Sequence, residues 1–143
     1  MKKIKINKNA ENSLEVIAKE FGVFVPILFE NPVYEIMESI TKGASTDFHF
    51  WDFYKTENGS AFMSICTDED TKFKVRVQSG AEGEVSAEAA SLMASLMALH
   101  CFYFMAVENK NARMIKFYEQ KYYKLYDFIR SHPEAEMLCY LLD

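Results

Sequence analysis

One long apolar stretch constrains the fold of this chain more than any other feature. It covers residues 86–107, and after Leu92 its only titratable side chains are His100, Cys101 and Tyr103. Alanine, leucine and methionine favour helix, and Ser86 can accept a hydrogen bond from a free N–H of the first turn as N-cap. A helix that is apolar on every face has to be enclosed by protein or lipid. Because polar residues interrupt the stretch before it reaches the ~18–20 apolar residues of a membrane span, we predict the central helix of a soluble core.

Composition and charge limit the remaining possibilities. The 143 residues, half of them hydrophobic, suffice for one domain with a sizeable core. Four lysines give the first ten residues a charge of +4, so the remainder, with 12 basic and 21 acidic side chains, carries −9. A body of this sign repels nucleic acid, yet it is far less charged than a mimic of duplex DNA needs to be. Three cysteines without close spacing and the lack of an apolar signal segment indicate a cytoplasmic protein.

Apolar periodicity and capping residues predict several further helices. Residues 1–12 are polar and lysine-rich, and we expect a flexible basic arm there, followed by a single domain over residues 13–143. Residues 23–29 are predicted to be an apolar connector, because Pro26 disfavours a central strand. Asn31 is the predicted N-cap of the second helix, with Pro32 in its first turn. The predicted helices besides the central one cover residues 13–21, 31–42, 112–131 and 134–142.

Between the second helix and the central helix, alternating apolar residues predict strands. The strands cover residues 48–54, 61–66 and 73–78, with Asn58-Gly59 as a tight turn between the first two. The first strand is aromatic on both faces, so we expect both faces to be covered. The predicted fold class is α+β, with a small three-stranded antiparallel sheet packed among four to five helices around one central apolar helix.

No catalytic, cofactor-binding or metal site is predicted. His49, Asp52 and His100 are residue types that a hydrolase uses, but this hypothesis requires them to converge in one cleft. His100 lies on the apolar helix, where a hydrogen-bonded core histidine is the ordinary role, and Cys101 is expected to be a small hydrophobe. The cysteines and histidines are too scattered for the close-spaced pairs of a zinc site.

Nucleic-acid binding is the alternative function that the charges allow. It would use the lysine-rich arm and the outer face of the third strand, where Lys72, Lys74 and Arg76 alternate with apolar residues. Acidic residues 68–70 weaken that patch. The aromatic strand could stack unpaired bases, although the core of a sheet is its more ordinary role. Four tyrosines are expected to be half-buried or to form a partner surface: Tyr118, Tyr122, Tyr123 and Tyr126.

Three separated segments resemble the ArdB/KlcA antirestriction proteins. Residues 50–54, Phe-Trp-Asp-Phe-Tyr, followed by Asn58-Gly59, are similar to the family signature F-W-E-F-Y, N-G-G. Residues 84–90, Glu-Val-Ser-Ala-Glu-Ala-Ala, are similar to its E-L-S-A-D-A-A. Lys121-Tyr122, Leu125, Asp127 and residues 132–135 are similar to its K-Y, L, D and H-P-E-A. Gln120 stands where the family has Asp, Ser60 replaces the second glycine, and the basic arm has no counterpart.

The resemblance implies a small non-enzymatic protein, carried on plasmids or other mobile elements, that protects incoming DNA from type I restriction–modification enzymes. It implies no cofactor and no simple DNA mimicry. The expected partner is the restriction–modification complex or an associated host factor, without direct DNA binding or a membrane. Matched acidic residues are the candidate partner contacts: Asp52, Glu84, Glu88, Asp127 and Glu134. The alternative is that Asp52, Ser86 and His132-Pro133 match because they shape turns and caps.

Overall fold

The predicted central helix is the element on which the others pack. In the computed structural model, which describes residues 1–22 and 26–143, helix α3 spans Ala87–Glu108. Ser86 is its N-cap, and the Oγ atom accepts a hydrogen bond from the Ala89 N–H at 3.1 Å, as predicted. Helices α2 (Pro26–Ile40) and α4 (Ala112–Arg130) and strand β3 (Ala61–Ile65) contact it.

Burial along α3 differs between its two ends. The apolar side chains of the first half are enclosed, and Leu92 and Met93 have no exposed surface. Near the C-terminal end, by contrast, 53% of Phe104 and 52% of Met105 is exposed. The prediction of complete enclosure is therefore confirmed for the first half and wrong for the last two turns. By length and composition α3 could span a membrane, contrary to our expectation, but more than half of its apolar window is buried inside this fold.

Two more α-helices are α1 (Ser13–Phe21) and α5 (Ala135–Leu142), and a short 3-10 helix spans Ala44–Asp47. Gly22 ends α1 with a left-handed conformation (φ 71°), as predicted from the sequence. A Cβ atom at Gly22 would also lie 2.3 Å from the Phe117 ring of α4, so glycine permits the close approach of the two helices. The predicted bounds of α1, α4 and α5 agree with the structure to within a residue.

Helix α2 begins earlier than predicted. We expected Asn31 to cap it, but it starts at Pro26, and Pro32 lies inside the helix. A proline there removes one backbone hydrogen bond and costs about 3 kcal/mol. Burial of Phe29 and Val33 on either side of Pro32, both without exposed surface, offsets that cost. Of the predicted connector, residues from Pro26 onward are therefore helical, and residues 23–25 lie outside the described part of the chain.

The three-stranded antiparallel sheet is present, but it contains β1 in place of the strand that was predicted at residues 73–78. Its order is β1 (Lys3–Lys5), β2 (Trp51–Thr56), β3. The predicted third strand, β4 (Lys72–Arg76), instead forms a separate two-stranded sheet with β5 (Glu82–Ser86). The prediction of a flexible arm was thus wrong for Lys3–Lys5, which pairs with β2 in antiparallel register.

Helix α3 closes the other edge of the three-stranded sheet. Ser95 Oγ accepts a hydrogen bond from the Met63 N–H at 3.1 Å, and Ser91 Oγ accepts one from the Ile65 N–H at 3.0 Å. The backbone groups of a strand edge need such partners when they are buried. The two serines that interrupt the apolar helix therefore replace a fourth strand.

The aromatic residues of β2 form part of the core. Trp51 and Phe53 are buried, and Tyr54 stacks on Phe62 of β3 with the ring centroids 5.2 Å apart. This packing confirms the prediction of a covered strand over β2, but the strand begins at Trp51 and not at residue 48, and Phe50 just before it is 74% exposed. The predicted turn is also present, with Gly59 at φ 97°. The preceding Asn58 donates a hydrogen bond from its Nδ2 atom to the Lys124 carbonyl at 2.7 Å.

Candidate functional site

Each of the three matched segments contributes residues at the N-terminus of α3. A cleft of about 630 Å³ opens there between the ends of β2 and β3 and the first turn of the helix. We call it the motif cleft, and its lining includes Lys3, Asp52, Cys66, Ser86 and Glu88. The turn before α5 carries His132 and Glu134 to the same place.

Glu134 connects the start of α3 to the turn before α5. Its carboxylate accepts hydrogen bonds from the Ser86 N–H at 2.8 Å and from the Ser86 hydroxyl. The Ser86 oxygen in turn accepts from the Ala89 N–H, so cap and carboxylate form one unit. The Glu134 N–H donates to His132 Nδ1 at 3.0 Å. Both matched segments therefore shape caps and turns here, as the alternative interpretation predicted.

Glu88 is held by groups from two other elements. The Lys3 ammonium lies 2.6 Å from its carboxylate, and His132 Nε2 lies 3.6 Å from its other oxygen. Because His132 Nδ1 is an acceptor, Nε2 carries the proton that points toward Glu88. Interaction with His132, and then with Lys3, lowers the pKa of Glu88 to about 2 against the opposing effect of burial. The carboxylate therefore stays ionised at neutral pH.

Asp52 is paired in the same way. Lys5 Nζ lies 3.2 Å and Lys8 Nζ 3.7 Å from its carboxylate, and the Cys66 thiol donates a hydrogen bond at 3.2 Å. Burial would raise the pKa of Asp52, but the hydrogen bonds from Cys66 and Lys5 outweigh it and the pKa is lowered. Burial and the neighbouring Asp52 raise the pKa of Cys66. The thiol is therefore protonated at neutral pH and is a poor nucleophile.

The other two candidate contacts lie apart from the cleft. Glu84 is exposed on β5, opposite Lys74 in the register of the β4–β5 sheet. Asp127 is exposed on α4, and its carboxylate lies 3.6 Å from the equally exposed Arg130. The structure thus brings together Asp52, Glu88 and Glu134 and leaves Glu84 and Asp127 on open surface.

The residues of the hydrolase hypothesis do not converge. His49, Asp52 and His100 line three different cavities. His100 and Cys101 are exposed, which corrects the predictions of a core histidine and a small buried hydrophobe. The reason is the same for both: they lie where α3 emerges from the fold. Within residues 1–22 and 26–143, no three Asp, Glu, Cys or His side chains are placed to hold a metal ion.

Acidic residues lie beside the cations of both predicted basic surfaces. Lys74 and Arg76 are exposed on β4, but their partners across the sheet are Glu84 and Glu82. Lys3, Lys5 and Lys8 form ion pairs with Glu88 and Asp52. The alternation Lys3-Ile4-Lys5-Ile6, with Ile6 buried, is the signal by which the sequence could have indicated a strand.

Comparison with known proteins identifies relatives of this chain. Residues 46–143 match the model of a family described as "Antirestriction protein". The chain is 30% identical over 97 residues to the antirestriction protein KlcA of Escherichia coli, a match that covers 66% of this chain and 62% of KlcA. It is 29% identical over 118 residues to the uncharacterized protein YafX of E. coli K12, covering 82% of this chain and 72% of YafX.

A solved structure shares the fold. It comes from work on KlcA and ArdB that describes a novel fold, and it superposes with a TM-score of 0.79 at 23% identity. The superposition covers all of this chain and 96% of the other. The three segments that carry the resemblance all lie within the residues of the family match. The chain therefore belongs to the antirestriction protein family.

Proposed function

We propose that this chain relieves type I restriction of incoming unmodified DNA by binding a protein, either the restriction–modification complex or an associated host factor. The family match over residues 46–143 carries the proposal. The KlcA and ArdB proteins are described as active against type I DNA restriction systems in vivo but not in vitro. Activity that is seen only in living cells fits a mechanism that involves a host factor. The proposed place of action is the cytoplasm.

The chemistry of the motif cleft favours binding over catalysis. The three partly buried carboxylates at the cleft are engaged: Asp52 by lysines and a thiol, Glu88 by Lys3 and His132, and Glu134 by Ser86. Asp68 and Glu69 also line the cleft, and both are exposed to solvent. A general acid or base needs a pKa near the working pH, whereas the pKa values of Asp52 and Glu88 are lowered. These groups therefore serve to hold β1, α3 and the turn before α5 together.

Simple DNA mimicry is not favoured by the charge distribution. The formal net charge is only −5, while duplex DNA carries one charge per ~1.7 Å of its axis. Of the candidate contacts, the exposed Glu84 and Asp127 remain free to touch a partner, and we propose them as contact residues. In this proposal Asp52, Glu88 and Glu134 do not contact the partner, and they affect partner binding only by maintaining the shape of the motif cleft.

Plating of phage tests the function. Unmodified phage is plated on a host with an active type I system, with and without expression of the chain, and modified phage serves as the control for general effects on growth. We expect expression to raise the plating of unmodified phage and to leave that of modified phage unchanged. Unchanged restriction, with the folded protein detected in the cells, would overturn the proposal.

The proposed contact residues are tested in the same assay. Glu84→Gln and Asp127→Asn, combined, should lower restriction relief without changing thermal stability, because both side chains are exposed and their ion pairing is weak. Glu35→Gln on the exposed face of α2 is the matched control. Relief at the wild-type level in the double variant would remove these two residues from the contact surface.

A further inference from the structure

A second concave surface lies away from the motif cleft. A groove of about 900 Å³ runs between the end of α1 and the beginning of α4. Its floor is apolar and its rim is basic, and we call it the basic groove. The floor includes Ala18, Met114 and Phe117, and the rim carries Lys19, Arg113 and Lys116.

Three positively charged side chains lie together on the rim of the basic groove. Lys19, Arg113 and Lys116 are exposed, and none of them takes part in an ion pair within the described part of the chain. Among the described residues, no acidic side chain lines the groove. The lysines of the motif cleft, by contrast, are paired with Asp52 or Glu88. In a chain of net charge −5, this surface therefore attracts negative charge.

The cations of the rim also lie where the helix itself is positive. Arg113 is in the first turn of α4, which contains no acidic residue. The N-terminal end of a helix carries about half a positive charge, so a cation there is unfavourable. An anionic group seated against the rim would offset this cost.

The floor indicates what kind of anion fits. The Phe117 ring lies against Gly22, and both Phe117 and Met114 are half-buried, so the floor is apolar. Phosphates of DNA could contact the rim but would leave the floor unfilled. An amphipathic helix fills such a groove with its apolar side chains and presents charged residues to the rim. The combination therefore favours a protein segment over nucleic acid.

We propose that the basic groove binds an acidic amphipathic helix of the partner protein. This inference rests on the proposed function, because it names the kind of segment by which the restriction complex or host factor is recognised. Apolar side chains of that helix contact Met114 and Phe117, and its carboxylates pair with Lys19, Arg113 and Lys116.

A model peptide tests the groove without knowledge of the partner. The full chain is titrated with a labelled helical peptide that has leucine on one face and glutamate on the other, and with a scrambled peptide of the same composition. We expect the amphipathic peptide to bind more tightly, with affinity falling as salt is added because the rim charges are screened. Shifts of the backbone amide signals should concentrate at Lys19, Asn111 and Met114.

Charge-matched variants locate the binding surface. The groove variant K19Q/R113Q/K116Q should weaken peptide binding on the order of tenfold, since loss of complementary charge acts at contact distance. The control variant K2Q/K42Q/K124Q removes three exposed cations away from both the groove and Glu84, and it should leave binding unchanged. Thermal melts establish that both variants are folded.

The results separate this inference from the proposed function. Peptide binding at the groove by a wild-type chain that gives no relief in cells supports the groove and contradicts the function. Loss of relief in the groove variant, with relief kept in the control variant, supports both. The inference would be overturned if the scrambled peptide or a short DNA duplex bound as tightly as the amphipathic peptide. It would also be overturned if both variants lost peptide binding equally, or if the groove variant kept restriction relief.

Discussion

Ser86 links two parts of the chain through one side chain. Its oxygen caps α3, and its N–H and hydroxyl bind Glu134, which is 48 residues away in the sequence. Replacement of an N-cap serine by alanine costs about 0.5–2 kcal/mol. Because Ser86→Ala also leaves the half-buried Glu134 without one of its donors, we expect a loss near the upper end of this range in urea unfolding.

Matched substitutions separate this loss from a general effect of serine-to-alanine replacement. Ser39→Ala, at an exposed position in α2, should change the stability by less than about 0.5 kcal/mol. Ser86→Thr should recover most of the loss, because the hydroxyl is retained. Equal stability of Ser86→Ala and the wild type would contradict the proposed coupling of cap and carboxylate.

Glu88 should make stability depend on acidic pH. Its pKa is about 2 in the folded chain, below the ordinary value of 4.5, so the unfolded chain binds more protons between these values. The stabilising contribution is therefore complete above about pH 4.5 and is lost as the pH falls toward 2. We expect Glu88→Gln to be less stable than the wild type at neutral pH and to approach it in acid.

Urea unfolding at several pH values measures this difference. Lys3→Gln should reduce the pH dependence partially, since the interaction with His132 remains. Glu35→Gln, on an exposed face of α2, should run parallel to the wild type. A difference between wild type and Glu88→Gln that stays constant from neutral pH to pH 2 would contradict the assignment.

Part of the motif cleft could be predicted from residue types alone. The N-cap role of Ser86 follows from its position before an apolar helix, and it was predicted. The partners of Glu88 were not predictable, since Lys3 and His132 come from opposite ends of the chain and depend on how β1 and α5 pack. His100 and Cys101 were wrongly assigned to the core because periodicity cannot show where a helix extends beyond the elements that cover it.

At the scale of elements, two serines of α3 accept the hydrogen bonds that a further strand would accept from the edge of β3. Ser91 and Ser95 are both buried, and they supply the acceptors for the Ile65 and Met63 N–H groups. A buried donor left without a partner costs about 1–3 kcal/mol. Ser91→Ala and Ser95→Ala should each lower the free energy of unfolding by that amount, whereas Ser39→Ala should not.

Hydrogen exchange adds a local measurement of the same contact. The Met63 amide should lose protection in Ser95→Ala, and the Ile65 amide should lose it in Ser91→Ala, while the other amides of β2 and β3 change together with global stability. Unchanged protection of both amides would show that the serines do not hold this edge.

Strong periodicity explains why most helices were predicted, and its absence explains the misses. Strand β1 has a short alternation, Lys3-Ile4-Lys5-Ile6, which was missed because the surrounding residues are polar and rich in lysine. Pro32 suggested a helix start, yet the burial of Phe29 and Val33 outweighs its local preference. Strand β4 was predicted correctly as a strand, but its pairing partner β5 contains Gly83 and little apolar alternation.

For the whole molecule, the fold class was predicted from one helix, because a helix that is apolar on most of its surface has to be covered by other elements. Sheet and helices cover its first half, and the last two turns remain at the surface. The family match agrees with the resemblance seen in the three segments. The basic groove was not visible in the sequence, because Lys19 and Arg113 become neighbours only when α1 packs against α4.

The most direct test of the account measures phage plating against the quantity of the chain in the cell. Unmodified phage is plated on a type I host over a range of expression levels, and the copy numbers of the chain and of the restriction complex are determined in the same cultures. Action by binding predicts relief that rises with expression and becomes complete only when the chain is about as abundant as its target. Complete relief at copy numbers far below the target, or no relief at any level, would contradict the account.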